Sequence, residues 1–341
     1  MTLTWPSTSL PKSQVKSLIA KSSSDSCSTS ITPSTELEKK PALEIWSLYS
    51  YNLHKATYEG LNELQSRKGR RNFIVGRGSF AGQQRYAALW TGDNASTWDH
   101  LQVSINQVLS LGLSGHEIVG GDIGGFFPGS ESSWADPELY IRWYCASVLL
   151  PWLRNHYHGK PGMKLFQEPW AFTDNFNRNP STIPAKDRYL WLAVEPVCRY
   201  YIKLRYTLLQ LLYDAMFDYQ FTSLPIVRPL VVTDPNDLTL LGDNEWCLDN
   251  QYMAGADLLV CPVLEPETTS GGGREIYLPQ TNDWYPFNLG IELNPRLDSV
   301  HPYGTRLRKK LRGGSRFFVD AHLSANDSCV PNICPMFIRE G

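Results

Sequence analysis

No stretch of this 341-residue sequence is apolar for long enough to cross a bilayer, and no basic segment followed by an apolar one opens it. These absences argue against a spanning helix and a secretory leader, and if Met1 is authentic they predict a cytosolic protein. A surplus of one charge is also missing. With 32 Lys and Arg against 34 Asp and Glu, the net charge of -2 gives no field to gather nucleic acid or anionic lipid. The short basic stretches 67–71 and 306–312 read as solvated loop charge. The seven cysteines are odd in number and show no CxxC or Cys/His spacing, which argues against a zinc site and against a complete disulfide framework. Only Cys329 and Cys334 lie close enough in sequence to suggest a bridge. No pattern implies a cofactor, and no internal repeat is visible.

What the sequence does hold is core-forming and aromatic. A 42% hydrophobic content suits one large unit and a smaller one, and 11 Trp with 17 Tyr supply flat faces that suit sugar C–H surfaces, though most belong in an aromatic core. Residues 1–41 are rich in Ser, Thr, Lys and Pro without periodicity and predict a disordered leader. From residue 42 helix-like and strand-like runs alternate: a helix over 42–64, strands at 72–76, 86–90 and 117–121, and helices at 96–113, 137–155 and 187–217. A further strand is expected at 226–232. Alternation of this kind predicts α/β architecture with a parallel sheet and a site at the strands' C-terminal ends. Four strands make half of an eight-stranded barrel. The domains expected are therefore a second-half (β/α)8 TIM barrel over 42–254 and the start of a small β-sandwich over 255–341, where short strands alternate with Gly- and Pro-rich turns.

The segment GRGSFAGQQRYAALWTGDN (76–94) ends a strand-like run with Arg77 and delivers Asp93 beside Trp90. An acid set against a large aromatic can stay protonated and donate to a leaving oxygen, while arginine offers a permanent charged fork. Gly76-x-Gly78-x-x-Ala81 also matches a dinucleotide fingerprint, but a strand follows where that fold needs a helix. Asp93 and Asp122 both follow strands, as the two carboxylates of a glycosidase would. The plainer alternative is that such residues cap the next helix, although Asn94, Ser96 and Thr97 are available to do so. Asn94-Ala-Ser and Asn326-Asp-Ser match the glycosylation pattern, weakly. His156 and His158 lack the neighbours of a metal pair. His156, expected after a helix, suits either a substrate hydroxyl or the helix dipole. Glu168, ahead of Pro169, is expected to make a structural link to Arg154 or Arg142.

Arg77-x-Ser-Phe-Ala-Gly, Leu89-Trp-Thr-Gly-Asp-Asn, Gly121-Asp-Ile-Gly-Gly-Phe126, Pro151-Trp-Leu-Arg-Asn-His156, Glu168-Pro-Trp, Arg228-Pro-Leu and Asp249-Asn-Gln-Tyr resemble glycoside hydrolase family 31 in order and spacing, across residues 43–341. Within it, GRGSFAG, LWTGDNASTW, LLPWLRNHY and FQEPW look most like the α-1,4-glucan lyase branch; ordinary α-glucosidases of the family carry serine where this chain has Gly78. The resemblance implies that Asp93 is the general acid and that Arg77 binds substrate. It further implies that Asp122 and His156 hold sugar hydroxyls while Trp90 and Phe126 shape the walls, so Asp122 becomes a substrate ligand instead of a second catalytic carboxylate. The implied substrate is an α-glucan or maltooligosaccharide, with neither metal nor cofactor. The family's nucleophile lies on a W-x-D-M type segment, and none occurs in this sequence. The expectation is a C-terminal portion, inactive alone, whose complete enzyme forms 1,5-anhydrofructose or, as a hydrolase, glucose.

Overall fold

The computed structural model describes residues 42–129, 135–158, 167–287, 310–323, 330 and 332–341. The chain divides into two compact units, Met1–Ile45 and Trp46–Gly341; of the first, only 42–45 are described. The expected leader, Cys329, Asn326 and the 306–312 basic stretch lie outside or largely outside the described residues.

Helix α1 (Ala42–Glu63) leads into β1 (Val75–Gly76), β2 (Ala88–Trp90), α2 (Trp98–Leu113), β3 (Val119–Gly120) and β4 (Asp122–Ile123). Strands β1, β2 and β3 pair in parallel, with Val75 opposite Ala88 and Leu89 opposite Val119. Thr97 caps α2 by accepting from the His100 amide, so Asp93 is not used as the cap. The 117–121 run is not one strand. Its first ladder stops at Gly120, and β4 pairs instead in parallel with β5 (Arg154–Asn155), Asp122 opposite Arg154. At Gly120 the backbone passes so close to the Trp152 carbonyl that a Cβ would overlap it, which is why glycine sits there.

Helix α3 (Pro137–Ser147) has proline in its first turn and Asp136 as cap, accepting from the Leu139 amide at 2.9 Å. It ends well before residue 155, and His156 therefore follows a strand, not the helix expected from sequence. The chain continues through α4 (Pro169–Arg178), α5 (Arg188–Thr207) and α6 (Leu209–Thr222). The expected single helix over 187–217 is broken at Leu208, whose amide bonds back to both Leu204 and Arg205. Residues buried in these helices, among them Trp143, Ile141, Val197 and Leu204, join Leu101, Ile105 and Val119 in one apolar cluster. Burial of each such side chain contributes about 1.5–3 kcal/mol.

Strand β6 (Val227–Arg228) corrects a further expectation. It does not extend the parallel set. It pairs antiparallel with β7 (Tyr252–Ala254), after the short helix α7 (Leu230–Thr233), and forms the edge of a five-stranded sheet. That sheet also holds β8 (Leu258–Val260), β10 (Trp284–Pro286) and β12 (Met336–Arg339), in the order β10-β12-β8-β7-β6. After α8 (Glu267–Ser270), strand β9 (Gly273–Tyr277) pairs antiparallel with β11 (Arg316–Asp320). Residue 254, where the barrel was expected to end, thus lies at the tip of the β7–β8 pairing. A second apolar cluster includes Met253, Tyr277, Trp284 and Phe337. Cys145, Cys198, Cys247 and Cys261 are buried free thiols, each pushed up by burial. Among the described residues, no helix is long and apolar enough to cross a membrane.

Candidate active site

All six residues singled out in the sequence lie at or just past the C-terminal ends of the parallel strands: Arg77 after β1, Trp90 closing β2 with Asp93 beyond it, Asp122 in β4 with Phe126 beyond it, and His156 after β5. Arg77 Nη1 meets Asp93 Oδ2 at 3.1 Å, with the two side chains 57% and 27% exposed. Gly92 makes room for this pair. Its φ of +89° is a left-handed conformation, and a Cβ would stand 2.9 Å from Arg77 Nε.

Asp122 is fully buried. Arg154 donates to its Oδ1 from Nε at 2.7 Å and approaches the same oxygen with Nη2 at 2.6 Å. Asp122 Oδ2, also buried, has no hydrogen-bond partner among the described residues. Burial pushes the Asp122 carboxyl above its ordinary value; the Arg154 hydrogen bond and charge and the nearby His156 oppose the rise, and Asp93 adds to it. That Asp93 and His156 both act on Asp122 brings the three groups into one electrostatic neighbourhood.

Asn94 ties the two strand ends together. It is buried, donates from Nδ2 to the Asp122 carbonyl at 2.9 Å, and accepts from the Phe126 amide at Oδ1, also at 2.9 Å. Phe126 in turn lies 5.2 Å from the His156 ring and 5.6 Å from His158, so His156 is an exposed group backed by an aromatic wall. The Trp90 indole does not simply shield Asp93, as its sequence position suggested. Its face is taken by the Arg154 guanidinium at 5.2 Å, with Trp152 facing the same guanidinium at 5.8 Å.

Glu168 makes neither of its expected links. It accepts from the Tyr157 hydroxyl at 2.7 Å, while Arg142 turns to Glu267 and Glu138 and Arg154 to Asp122. Burial first, and the Glu168 carboxylate second, push Tyr157 up to about 12. A cavity of about 460 Å³ lies beside His156, Tyr157, Glu168 and Trp170. The neighbouring Gln167 is fully buried and donates to the carbonyls of Gly124 and Gly125 at 3.0 and 2.9 Å, bracing the loop before Phe126. No group of three His, Cys, Asp or Glu among the described residues is arranged to hold a metal. Sequence reasoning passed over Arg154, Asn94 and Gln167 as site-forming residues. Their only local signal is adjacency to His156, Asp93 and Glu168, because each acts across strands distant in sequence.

Carboxylates, an arginine and aromatic side chains thus gather at the C-terminal ends of the parallel strands, the position at which a barrel enzyme carries its site. The TIM-barrel domain model of glycosyl hydrolases family 31 matches residues 17–215 and the family's C-terminal domain model matches residues 223–341. The chain belongs to glycosyl hydrolase family 31. It is 31% identical over 304 residues to alpha-glucosidase 2 of Bacillus thermoamyloliquefaciens, covering 89% of this chain and 31% of that protein. Its fold matches a Flavobacterium johnsoniae GH31 dextranase solved with isomaltotriose, at TM-score 0.66 and 26% identity, over 88% of this chain and 30% of the other. It also matches the α-1,4-glucan lyase of Gracilariopsis lemaneiformis, solved as a covalent intermediate complex with 5-fluoro-idosyl-fluoride, at TM-score 0.64 and 25% identity, over 85% and 25%. The chain thus spans under a third of the length of each of these proteins.

Proposed function

We propose that this chain carries the acid-bearing half of a family 31 barrel that cleaves α-glucosidic bonds, with Asp93 as the general acid. The observation that carries this reading is the Arg77–Asp93 pair at 3.1 Å beside a buried Asp122 whose Oδ2 has no partner among the described residues. Protonated Asp93 gives its proton to the glycosidic oxygen as the bond to the anomeric carbon breaks, and the leaving sugar departs as a neutral alcohol. Arg77 orients Asp93 and the sugar. Asp122 Oδ2 and the exposed His156 hold hydroxyls of the innermost sugar, with Trp90 and Phe126 as walls. The carboxylate that would take the glycosyl group in a retaining scheme belongs to a W-x-D-M type segment that does not occur in these 341 residues. By itself, therefore, the chain is inferred to bind α-glucan or maltooligosaccharide without cleaving it.

Two fates follow glycosyl transfer to such a carboxylate. Water resolves the intermediate to glucose in a hydrolase; in a lyase the departing carboxylate takes the proton from C2 and 1,5-anhydrofructose leaves without water. The motif set around Gly78 supports the lyase outcome, and the named α-glucosidase relative supports hydrolysis. The test joins this chain to a family 31 segment bearing the nucleophile and identifies the product formed from maltooligosaccharide. Asp93→Asn should lower that turnover by about 10²–10⁴-fold, with stability changed by less than about 0.5 kcal/mol because the pair is partly solvated. Unchanged turnover removes Asp93 from the acid role, and glucose as sole product removes the lyase reading. Glucan-dependent turnover by the isolated chain, abolished in Asp93→Asn, refutes its inactivity.

A further inference from the structure

A guanidinium facing a carboxylate ordinarily uses both carboxylate oxygens, one for each arm of the fork. Arg154 does not. Its Nε and Nη2 both converge on Asp122 Oδ1, at 2.7 and 2.6 Å, and Oδ2 stays buried without a partner among the described residues. Two indoles explain how this geometry is held: the guanidinium lies 5.2 Å from the Trp90 ring and 5.8 Å from the Trp152 ring. A planar, delocalised cation suits such flanking rings, and an ammonium does not reproduce the fork. A buried carboxylate oxygen with nothing to accept from is costly, so the arrangement is one that a ligand hydroxyl completes.

We propose that Arg154 is the positioning residue of the sugar pocket: held against the Trp90 and Trp152 rings, it occupies one oxygen of Asp122 and so reserves the other for a substrate hydroxyl. This rests on the reading of Asp122 as a sugar ligand. It also ties that ligand to the acid, because Trp90 lies three residues before Asp93 on the same strand end. The charged and titratable groups acting on Asp122 are Arg154, His156 and Asp93. Of these, Arg154 alone is within hydrogen-bond distance, and with its removal the buried carboxyl loses the principal group that favours its ionised form.

Two readouts on the full chain test the role: the Asp122 carboxyl followed by NMR through a pH titration, and maltose binding measured between pH 4.5 and 8. Arg154→Met should move the Asp122 titration to higher pH. It should also weaken maltose binding by about tenfold or more and make that binding depend on pH. Arg154→Lys, which keeps the charge without the fork, should shift the titration less and still weaken binding several-fold. An Asp122 titration in Arg154→Met identical to wild type, or wild-type maltose affinity in either variant, overturns the proposal. If Arg154→Met does not fold, Arg154→Lys decides: weaker binding at an unchanged Tm supports the role and unchanged binding ends it. Failure of the wild-type chain to bind maltose, or wild-type binding by Asp122→Asn, overturns Asp122 as a sugar ligand and with it the reserved-oxygen proposal. The carboxyl titration then reports separately whether Arg154 holds the charge.

Discussion

Two buried aspartates, one in parallel strand β4 and one in a loop bonded to an antiparallel strand, are treated in opposite ways. Asp122, in parallel strand β4, is engaged at one oxygen and unpartnered at the other among the described residues, and its carboxyl lies above the ordinary value. Asp237, in the loop just before Leu238, accepts from Thr239 through its amide and its hydroxyl, from the Tyr277 hydroxyl at 2.6 Å and from the Gln280 amide at 2.9 Å. Burial pushes Asp237 up, but these hydrogen bonds outweigh it and hold the carboxyl below its usual range. Two fully buried glutamines repeat the contrast. Gln251 donates to the Tyr277 carbonyl and accepts from the Tyr277 amide, whereas Gln167 uses only its amide nitrogen and leaves Oε1 without a partner among the described residues. The saturated Asp237 and Gln251 brace the antiparallel part, whereas Asp122 Oδ2 and Gln167 Oε1 at the parallel strand ends stay open as acceptors among the described residues.

The contrast breaks most visibly at Asp237. Asp237→Ala should cost about 3 kcal/mol near neutral pH, read as a fall in the urea midpoint. Because its folded carboxyl is depressed, the stabilisation it contributes is present above about pH 4 and is lost as pH falls through the folded value. A loss of under about 0.5 kcal/mol would mean that the network is not structural. Gly92→Ala tests the parallel side through its backbone. The left-handed φ and the approach to Arg77 predict a loss of about 1 to 2 kcal/mol, along with a displaced Arg77–Asp93 pair. Asp122→Asn should act in the opposite direction to Asp237→Ala. With its folded carboxyl raised, the stability linked to Asp122 is fully present below about pH 4 and declines as pH rises through the folded value. Near neutral pH the amide variant should therefore be more stable than wild type, by up to about 1 kcal/mol, while losing maltose binding. A pH series of urea midpoints that diverge in the other direction would place Asp122 with the structural aspartates.

Helix α1 and strands β1 to β3 were legible because each carries its own apolar periodicity, and Arg77, Asp93 and Asp122 lie beyond the ends of those strands, whereas His156 follows β5. Strand β5 was not. It is two residues long, sits after an apolar run that continues helical spacing from Leu139 to Leu149, and exists only through its ladder to Asp122 and Ile123. Strand β6 was legible as a strand but not in its direction, since the partner that makes it antiparallel, Met253, lies 25 residues on. Glu168 was assigned the wrong partner for the same reason: the spacing of charges along a chain does not say which arginine a sheet will bring beside which acid.

The amino-acid sequence alone determined the residue types and their order along the strands: an arginine, an acid and its tryptophan on one segment, a second aspartate among glycines, and a histidine after Arg154. Those are local properties, written in apolar spacing and short motifs. Only the tertiary structure decided that Arg154 would lie over the Trp90 and Trp152 rings, that Asn94 would bridge to Asp122 and Phe126, and that one oxygen of Asp122 would stay open among the described residues. Each of these depends on backbones from segments about 28 to 64 residues apart meeting at a few ångströms, and that distance is set by strand register and packing, which no local pattern encodes.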